Sequence, residues 1–279
     1  MKRWVIAGAG ALVWMAAVSP SGAADIPPAP PPVKAPVRAP VVQNWYGFYI
    51  GIHGGYAWGR NAIQYTPDAF YAPLFLAAGV PNALAANPRG FIGGITYGSN
   101  YQFDRIVVGF DSDFSYSDIK ASQTFANVVG GVPFTTTANQ RLSWFGTTRV
   151  RGGVLLGDHI LLYGTGGLAS GRAESSTTNI VNVAGGCLIA GACPFGSGSK
   201  NMWGWAAGGG IEYAEGPWQF RVEYLHYDLG TLSYTMRDFV VPLNVINASV
   251  RVNGDMVRGA ISYRFNWTPL GLIFGTDRI

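Results

Sequence analysis

Apolar and polar positions alternate with a period of two through most of the chain after residue 44. Such alternation is typical of β-strands that present one apolar and one polar face. Seven of the eight candidate segments alternate clearly, and the fifth is assigned by its position and its β-type residues. The segments are Trp45 to Trp58, Gly90 to Phe103, Ile106 to Ser117, Gln140 to Gly152, Ile160 to Gly171, Met202 to Tyr213, Trp218 to Tyr227, and Asp255 to Phe265.

The connections between these segments are alternately long and short. The first, third, fifth and seventh are long, whereas the other three are tight turns at Asp104-Arg105, Gly157-Asp158 and Glu215-Gly216-Pro217. Outer-membrane barrels have short periplasmic turns and long extracellular loops, and a soluble sandwich has no reason to place every long loop at one end. The sequence therefore predicts an all-β fold, an eight-stranded antiparallel up-and-down transmembrane β-barrel with four long extracellular loops and short periplasmic turns.

Charged side chains in the predicted strands fall on the face without large apolar residues. In the seventh strand Trp218, Phe220 and Val222 share one face, and Arg221 and Glu223 share the other. In a barrel of eight strands the polar face points into a lumen that side chains can just fill. We expect an internal salt-bridge network that plugs the lumen, although inward glycines leave open a water-filled, narrow diffusion channel. The predicted network consists of Asp111, Asp113, Arg149, Arg151, Glu212, Arg221, Glu223, Arg258 and Arg264.

Aromatic residues stand near the ends of the predicted strands. Outer-membrane barrels carry such residues in girdles at the two membrane interfaces. The predicted girdle contains Trp45, Trp58, Trp203, Trp205, Trp218 and Phe265.

The first 24 residues have the three parts of a secretory signal peptide. A basic start at Lys2 and Arg3 precedes an apolar stretch, and small residues before Asp25 form a cleavage site. Residues 25–44 are rich in proline and read as a spacer, so the predicted barrel occupies residues 45–265 and a C-terminal tail residues 266–279. We therefore expect an exported protein of the bacterial outer membrane, with its signal peptide cleaved.

Composition narrows the choices further. Only 12% of residues are charged, 14% are aromatic and 39 are glycine, which excludes a disordered chain and a coiled coil. After the first eighteen residues no apolar run approaches the roughly 20 residues of a spanning helix. Loss of Lys2 and Arg3 lowers the formal net charge of +4 by two, so the basic balance does not indicate nucleic-acid binding.

Short glycine- and aromatic-rich motifs recur through the predicted barrel. They are residues 45–51 (WYGFYIG), 54–56 (GGY), 90–94 (GFIGG), 162–169 (LYGTGGLA), 212–213 (EY), 222–224 (VEY), 257–259 (VRG) and 263–265 (YRF). In these motifs the chain resembles the small alphaproteobacterial outer-membrane β-barrel family, whose members carry names such as porin family protein or outer membrane immunogenic protein. The resemblance implies an eight-stranded barrel with exposed, antigenic loops, and links some members to haem binding or to host and envelope interactions. It also implies a terminal aromatic recognised by the barrel-assembly machinery, from which this chain departs by its tail after Phe265.

Few residues indicate chemistry beyond the barrel. Cys187 and Cys193 lie in the third long loop, and an exported chain meets oxidising conditions, so we expect a disulfide between them. His53 or His226 could join a tyrosine in ligating haem, but an isolated histidine in a strand is more often packed or hydrogen-bonded. His226 near Asp228 is the one close acid–histidine pair, and no nucleophile motif accompanies it. We expect no catalytic site, no metal site and no cofactor.

An apolar segment, residues 69–78, lies in the first long loop, where we expect a lid over the barrel mouth. The sequence as a whole indicates an integral outer-membrane barrel with a structural or surface-interaction role and no catalysis. Two alternatives stay open: a narrow diffusion channel and a haem or ligand receptor. The expected partners are the lipid bilayer with its lipopolysaccharide, the barrel-assembly machinery, and a host or surface ligand bound through the long loops, but no nucleic acid.

Overall fold

The computed structural model describes residues 43–267. The predicted signal peptide, nearly all of the predicted spacer and most of the predicted tail lie outside these residues. No helix among residues 43–267 is long and apolar enough to cross a membrane. The elements of this part are β1 (Gly47–Trp58), β2 (Asn61–Pro67), α1 (Tyr71–Ala78), β3 (Ala83–Ala86), β4 (Arg89–Phe103), β5 (Ile106–Val129), β6 (Val132–Leu156), β7 (Ile160–Val181), a 3-10 helix (Gly186–Leu188), β8 (Phe195–Glu215), β9 (Trp218–Arg237) and β10 (Val245–Phe265).

Eight of the strands form a closed antiparallel ring in the order β1, β4, β5, β6, β7, β8, β9, β10. The ring closes where β1 pairs with β10, from Phe48 opposite Phe265 to Trp58 opposite Asp255. Apart from this closing pair and the short excursion through β2 and β3, neighbours in the ring are also neighbours along the chain. The predicted eight-stranded up-and-down barrel is confirmed. We call the end with the tight turns the inner end and the opposite one the outer end.

The strands extend well past the segments that the sequence pattern marks. β5 and β6 contain 24 and 25 residues, whereas a tilted strand needs only about 9–11 to cross a bilayer. Much of each long connection is therefore strand, and the second one is a hairpin that turns at Gly130-Gly131, both with positive φ.

β-Bulges explain why the pattern stops short. The pairing between β6 and β7 shifts between Leu142 and Phe145, and the pairing of β10 with β9 shifts between Arg251 and Asn253. One extra residue on a strand exchanges the inward and outward positions beyond it. In β6, for example, Phe145 and the odd-numbered positions between it and the inner end point inward. On the outer side of the bulge the even-numbered Gln140 and Leu142 point inward instead.

The first long connection builds additional structure at the outer end. β2 pairs with the outer part of β10, and β3 pairs with β2. The carboxylate of Asp68 accepts hydrogen bonds from the backbone N–H groups of Phe70 and Tyr71, at 3.0 Å each, where α1 begins. α1 then buries Tyr71 and Phe75 among the inward apolar side chains of the outer end. The apolar segment predicted as a lid thus forms a helix packed into this end of the barrel.

The outward face of the barrel is apolar between the tight turns and the bulges, and aromatic side chains border it at each of these two levels. Phe103, Tyr213, Trp218 and Tyr263 are exposed near the inner end, and Tyr56, Trp58, Phe91, Tyr116, Trp203 and Trp205 are exposed near the bulges.

The girdle prediction was wrong for Trp45. Its side chain is fully buried inside the barrel, and its indole N–H donates to the carbonyl of Asp158 at 3.1 Å. The reason is phase, because Trp45, two residues before β1, continues the inward positions of Gly47 and Tyr49 rather than the outward positions of Phe48 and Ile50.

Candidate functional site: the filled lumen

Three layers of side chains fill the barrel along its axis. At the inner end lies an apolar group that we call the inner cluster, consisting of Trp45, Val107, Leu155, Leu161, Tyr163 and Ala214. The middle layer is charged and is described below as the ion-pair network. The outer layer, which we call the outer core, is a larger apolar cluster built from the outer halves of the strands together with β2, β3 and α1.

Arg149 on β6 is the hub of the ion-pair network. Its guanidinium contacts the carboxylates of Asp111 at 2.8 Å, Asp113 at 3.2 Å and Glu223 at 3.1 Å. These partners come from β5 and β9, on opposite sides of the lumen. One side chain therefore ties together strands that do not pair with each other.

The other three arginines of the network extend these contacts. Arg258 bridges Asp113 at 2.8 Å and Glu223 at 2.7 Å. Arg221 bridges Asp111 at 2.7 Å and Glu212 at 3.2 Å. Arg151 contacts Glu212 at 2.6 Å and stacks its guanidinium over the ring of Tyr163, 4.2 Å from the ring centre. The four arginines and four carboxylates form one connected, charge-balanced group.

Burial makes this balance necessary. The side chains of the eight residues are between 0% and 3% exposed. Each ion loses its hydration there, at a penalty of several kcal/mol that only opposite charges and hydrogen bonds offset. Loss of any one member would therefore leave a buried charge without its partner.

Hydroxyl groups that the sequence analysis did not assign to the network extend it. The hydroxyl of Tyr49 donates to Asp111 at 3.1 Å, and that of Tyr163 donates to Glu223 at 2.8 Å. Thr96 donates to Asp111 at 3.0 Å. Through these three residues β1, β7 and β4 also contribute, so all eight ring strands reach the network. For Tyr49 the inward phase was the signal in the sequence, because Tyr49 alternates with the outward Phe48 and Ile50. The start of the fifth segment is apolar on both faces, so it gave no such signal for Tyr163.

Arg264 was predicted in the network but lies apart from it. Its guanidinium donates to the backbone carbonyls of Tyr46 at 2.9 Å and Gly216 at 3.1 Å, near the inner end. Arg264 follows Arg258 by six positions on β10, which is about 20 Å at 3.3 Å per residue. The inward phase was correct, but the level along the barrel axis separates Arg264 from the carboxylates.

The histidines have partners other than the sequence suggests. His53 is buried, and its Nε2 lies 2.8 Å from the Ser115 hydroxyl. His226 contacts the carboxylate of Asp255 at 2.8 Å rather than Asp228, which pairs with Arg251. Among residues 43–267 no three His, Cys, Asp or Glu side chains are grouped as metal ligands.

The structure joins Cys187 and Cys193 in a disulfide within the connection between β7 and β8. The backbone N–H of Cys193 donates to the carboxylate of Asp238 at 2.9 Å, which links this connection to the one after β9. The disulfide thus stabilises an outer connection and lies away from the ion-pair network.

Comparison with known proteins agrees with this architecture. Residues 33–265 match the family model described as outer membrane protein beta-barrel domain. The 31 kDa outer-membrane immunogenic protein of Brucella melitensis is 33% identical over 224 residues, which cover 80% of this chain and 84% of that protein. The 22 kDa outer membrane protein of Rhizobium leguminosarum bv. viciae is 29% identical over 194 residues, covering 69% of this chain and 68% of that protein.

Among solved structures, OprG of Pseudomonas aeruginosa is 14% identical with a TM-score of 0.41, covering 80% of this chain and 98% of that one. The match of the family model over most of the chain, together with the Brucella relative, decides the family. The chain belongs to the outer membrane protein beta-barrel family and is an integral β-barrel protein of the bacterial outer membrane.

Proposed function

We propose that the protein is a closed barrel that anchors an extended extracellular structure in the outer membrane, with a structural or surface-interaction role and no catalysis. The observation that supports this most directly is the filling of the lumen by the inner cluster, the ion-pair network and the outer core. In this role its partners are the membrane lipids with lipopolysaccharide, the barrel-assembly machinery that inserts it, and a ligand outside the cell.

The inward glycines, which could have left room for water, support the closed reading instead. A methyl group at Gly98 would stand 2.5 Å from the Tyr49 hydroxyl, and one at Gly210 would stand 2.8 Å from the Tyr163 hydroxyl. These glycines make room for the two tyrosine rings, which in turn reach the carboxylates of the network. The space that glycine frees is therefore occupied by protein.

Conductance across a planar bilayer tests the closed barrel against a narrow diffusion channel. We expect no stable current steps from the purified, folded protein, with a wide porin inserted in the same bilayer as the positive control. Stable steps on the nanosiemens scale would refute the closed lumen. The variant Arg264→Gln removes an inward arginine outside the network, so we expect it to give no stable current steps either.

Exposed apolar residues on the extracellular connections support the surface-interaction part of the proposal. Leu76 on α1 is 85% exposed, and Phe239 and Leu243 after β9 are 86% and 91% exposed. Large apolar side chains at such positions favour contact with another molecule. Replacing all three by serine should abolish adhesion of protein-bearing vesicles to cultured host cells, measured by fluorescence. A control with Thr231 and Thr235 replaced by alanine should adhere normally, and unchanged adhesion of the serine variant would contradict the proposal.

A further inference from the structure

Three basic residues stand opposite one another on neighbouring strands of the barrel's outer face. Arg89 on β4 is paired in register with Lys120 on β5, and Lys120 is paired with Arg141 on β6. All three side chains are exposed. We call these residues the cation row. Because adjacent strands are about 4.8 Å apart, the row spans about 10 Å around the barrel.

The cation row lies immediately on the extracellular side of the aromatic girdle. The exposed ring of Phe91 is two positions from Arg89 towards the membrane, and Trp144, which stacks on Phe114, is three positions from Arg141. These steps correspond to about 7–10 Å along a strand. Aromatic girdles mark the headgroup level, so the row faces the polar groups of the outer leaflet.

The charges of the cation row are only partly neutralised by the protein. Asp118 forms an ion pair with Lys120 at 3.1 Å. The guanidinium groups of Arg89 and Arg141 make no hydrogen bond or ion pair within residues 43–267. Like charges directly opposite each other on a sheet are destabilising, so this arrangement favours an anion from outside the chain.

The carboxylate paired in register with Arg141 is engaged elsewhere. Glu174 on β7 forms an ion pair with Arg172 at 3.1 Å and accepts a hydrogen bond from the hydroxyl of Ser143 at 3.3 Å. With Arg172 included, four cations on this face meet two carboxylates. The strip therefore keeps a net positive charge.

A shallow groove of about 830 Å³ beside the row adds neutral hydrogen-bonding groups. It is lined by Lys120, Arg141 and Arg172 together with the hydroxyls of Ser122 and Ser199, among others. Guanidinium and ammonium groups bind phosphates and carboxylates, and hydroxyls bind sugars. The combination fits a lipid whose headgroup is an anionic saccharide.

We infer that the cation row is a binding site for the anionic headgroup of lipopolysaccharide in the outer leaflet. Arg89 and Arg141 contact its phosphate groups, Lys120 contributes a further charge, and the serines of the groove contact its sugars. The inference deepens the proposed function, on whose membrane placement and lipid partner it rests. It assigns that contact to one strip of the barrel, strands β4 to β7, rather than to the whole circumference.

The test compares two variants in which three basic residues become glutamine. One removes the row (Arg89→Gln, Lys120→Gln and Arg141→Gln), and the matched control removes other exposed basic residues (Arg105→Gln, Lys200→Gln and Arg237→Gln). The folded proteins are titrated in detergent with a fluorescent bisphosphorylated lipopolysaccharide and, separately, with phosphatidylglycerol. We expect the row variant to lose at least tenfold in lipopolysaccharide affinity, about 1.4 kcal/mol. The control should change by less than twofold, and phosphatidylglycerol binding should fall by less than threefold.

Unchanged lipopolysaccharide affinity of the row variant would overturn the inference. An equal loss for phosphatidylglycerol would also overturn it, because the row would then be a general anionic-lipid surface. Since the row is self-repelling, the row variant should unfold in lipid-free detergent at the same or a higher temperature, and only the wild type should gain stability from lipopolysaccharide. The single variant Arg141→Gln should lose about threefold if the triple variant does not fold. The bilayer conductance of the same preparations tests the closed lumen separately.

Discussion

Removing the hub of the ion-pair network should destabilise the barrel strongly. The variant Arg149→Met keeps most of the side-chain volume but removes the guanidinium that contacts Asp111, Asp113 and Glu223 at 2.8, 3.2 and 3.1 Å. Three arginines then face four carboxylates in a layer of buried side chains. The loss is therefore not only of three contacts but of the charge balance of the whole network.

The expected magnitude follows from this imbalance. Breaking a buried ion pair by removing one partner costs about 3–5 kcal/mol, because the remaining charge is left uncompensated. Asp113 keeps Arg258, and Asp111 keeps Arg221, at 2.8 and 2.7 Å. Because these contacts remain, we expect Arg149→Met to lower the free energy of unfolding by about 3–5 kcal/mol, the cost of one broken buried ion pair rather than of three.

Reversible urea unfolding in lipid vesicles, followed by tryptophan fluorescence, measures this loss. The double variant Arg149→Met with Asp113→Asn restores the balance at three arginines and three carboxylates. It should recover at least about 1 kcal/mol relative to the single variant, within the range of coupling energies between contacting residues. A loss below about 1 kcal/mol for Arg149→Met, or a double variant less stable than the single one, would refute a charge-balanced network.

Three further predictions concern the extracellular part. Phe75→Ala, which truncates a side chain of α1 buried in the outer core, should cost about 3–5 kcal/mol in urea unfolding, whereas Leu76→Ala on the exposed face should cost under about 0.5 kcal/mol. Cys187→Ser should remove about 2 kcal/mol of local loop-closure stabilisation, seen as faster proteolysis between β7 and β8 under non-reducing conditions. Desolvation raises the pKa of Asp68, but hydrogen bonds from backbone groups such as the Tyr71 N–H outweigh it and lower this pKa below the ordinary value. The carboxylate of Asp68 therefore helps to hold α1 above about pH 3.9, and this contribution is lost as the pH falls through the folded pKa. Pepsin cleavage at α1 should rise in that range for the wild type, and Asp68→Asn should show no such rise.

The fold could be predicted because residues that face the lipid and residues that face the lumen alternate along each strand of a membrane barrel. Lipid demands apolar side chains outward and the lumen accepts charges, so Asp111, Arg149 and Glu223 stand out among apolar neighbours. The alternation of long and short connections then gave the direction of the barrel. Individual contacts could not be predicted in this way, since which carboxylate meets which arginine depends on strand register and on side chains from opposite walls.

The errors have equally physical causes. Trp45 was placed by its position at a strand end, whereas its phase with Tyr49 sends it into the lumen. Arg264 has the inward phase, but phase carries no information about height along the axis. The outer halves of the strands were missed because the bulges exchange inward and outward positions near Leu142. Beyond the bulges the rule of apolar residues outward and polar residues inward is also inverted, because water rather than lipid surrounds that part of the barrel wall.

That inversion has a consequence for how the barrel enters the membrane. The outer halves of the strands carry charges such as Lys120, Arg141 and Arg172 on their outward face. An exported chain that inserts from the periplasm must carry these charges across the hydrocarbon, where a basic residue on the lipid face costs about 2–4 kcal/mol at the midplane. The same barrier opposes withdrawal once the charges have reached the far side. We therefore expect the charges of the extracellular wall to slow spontaneous insertion into plain vesicles and to oppose loss of the inserted barrel's orientation.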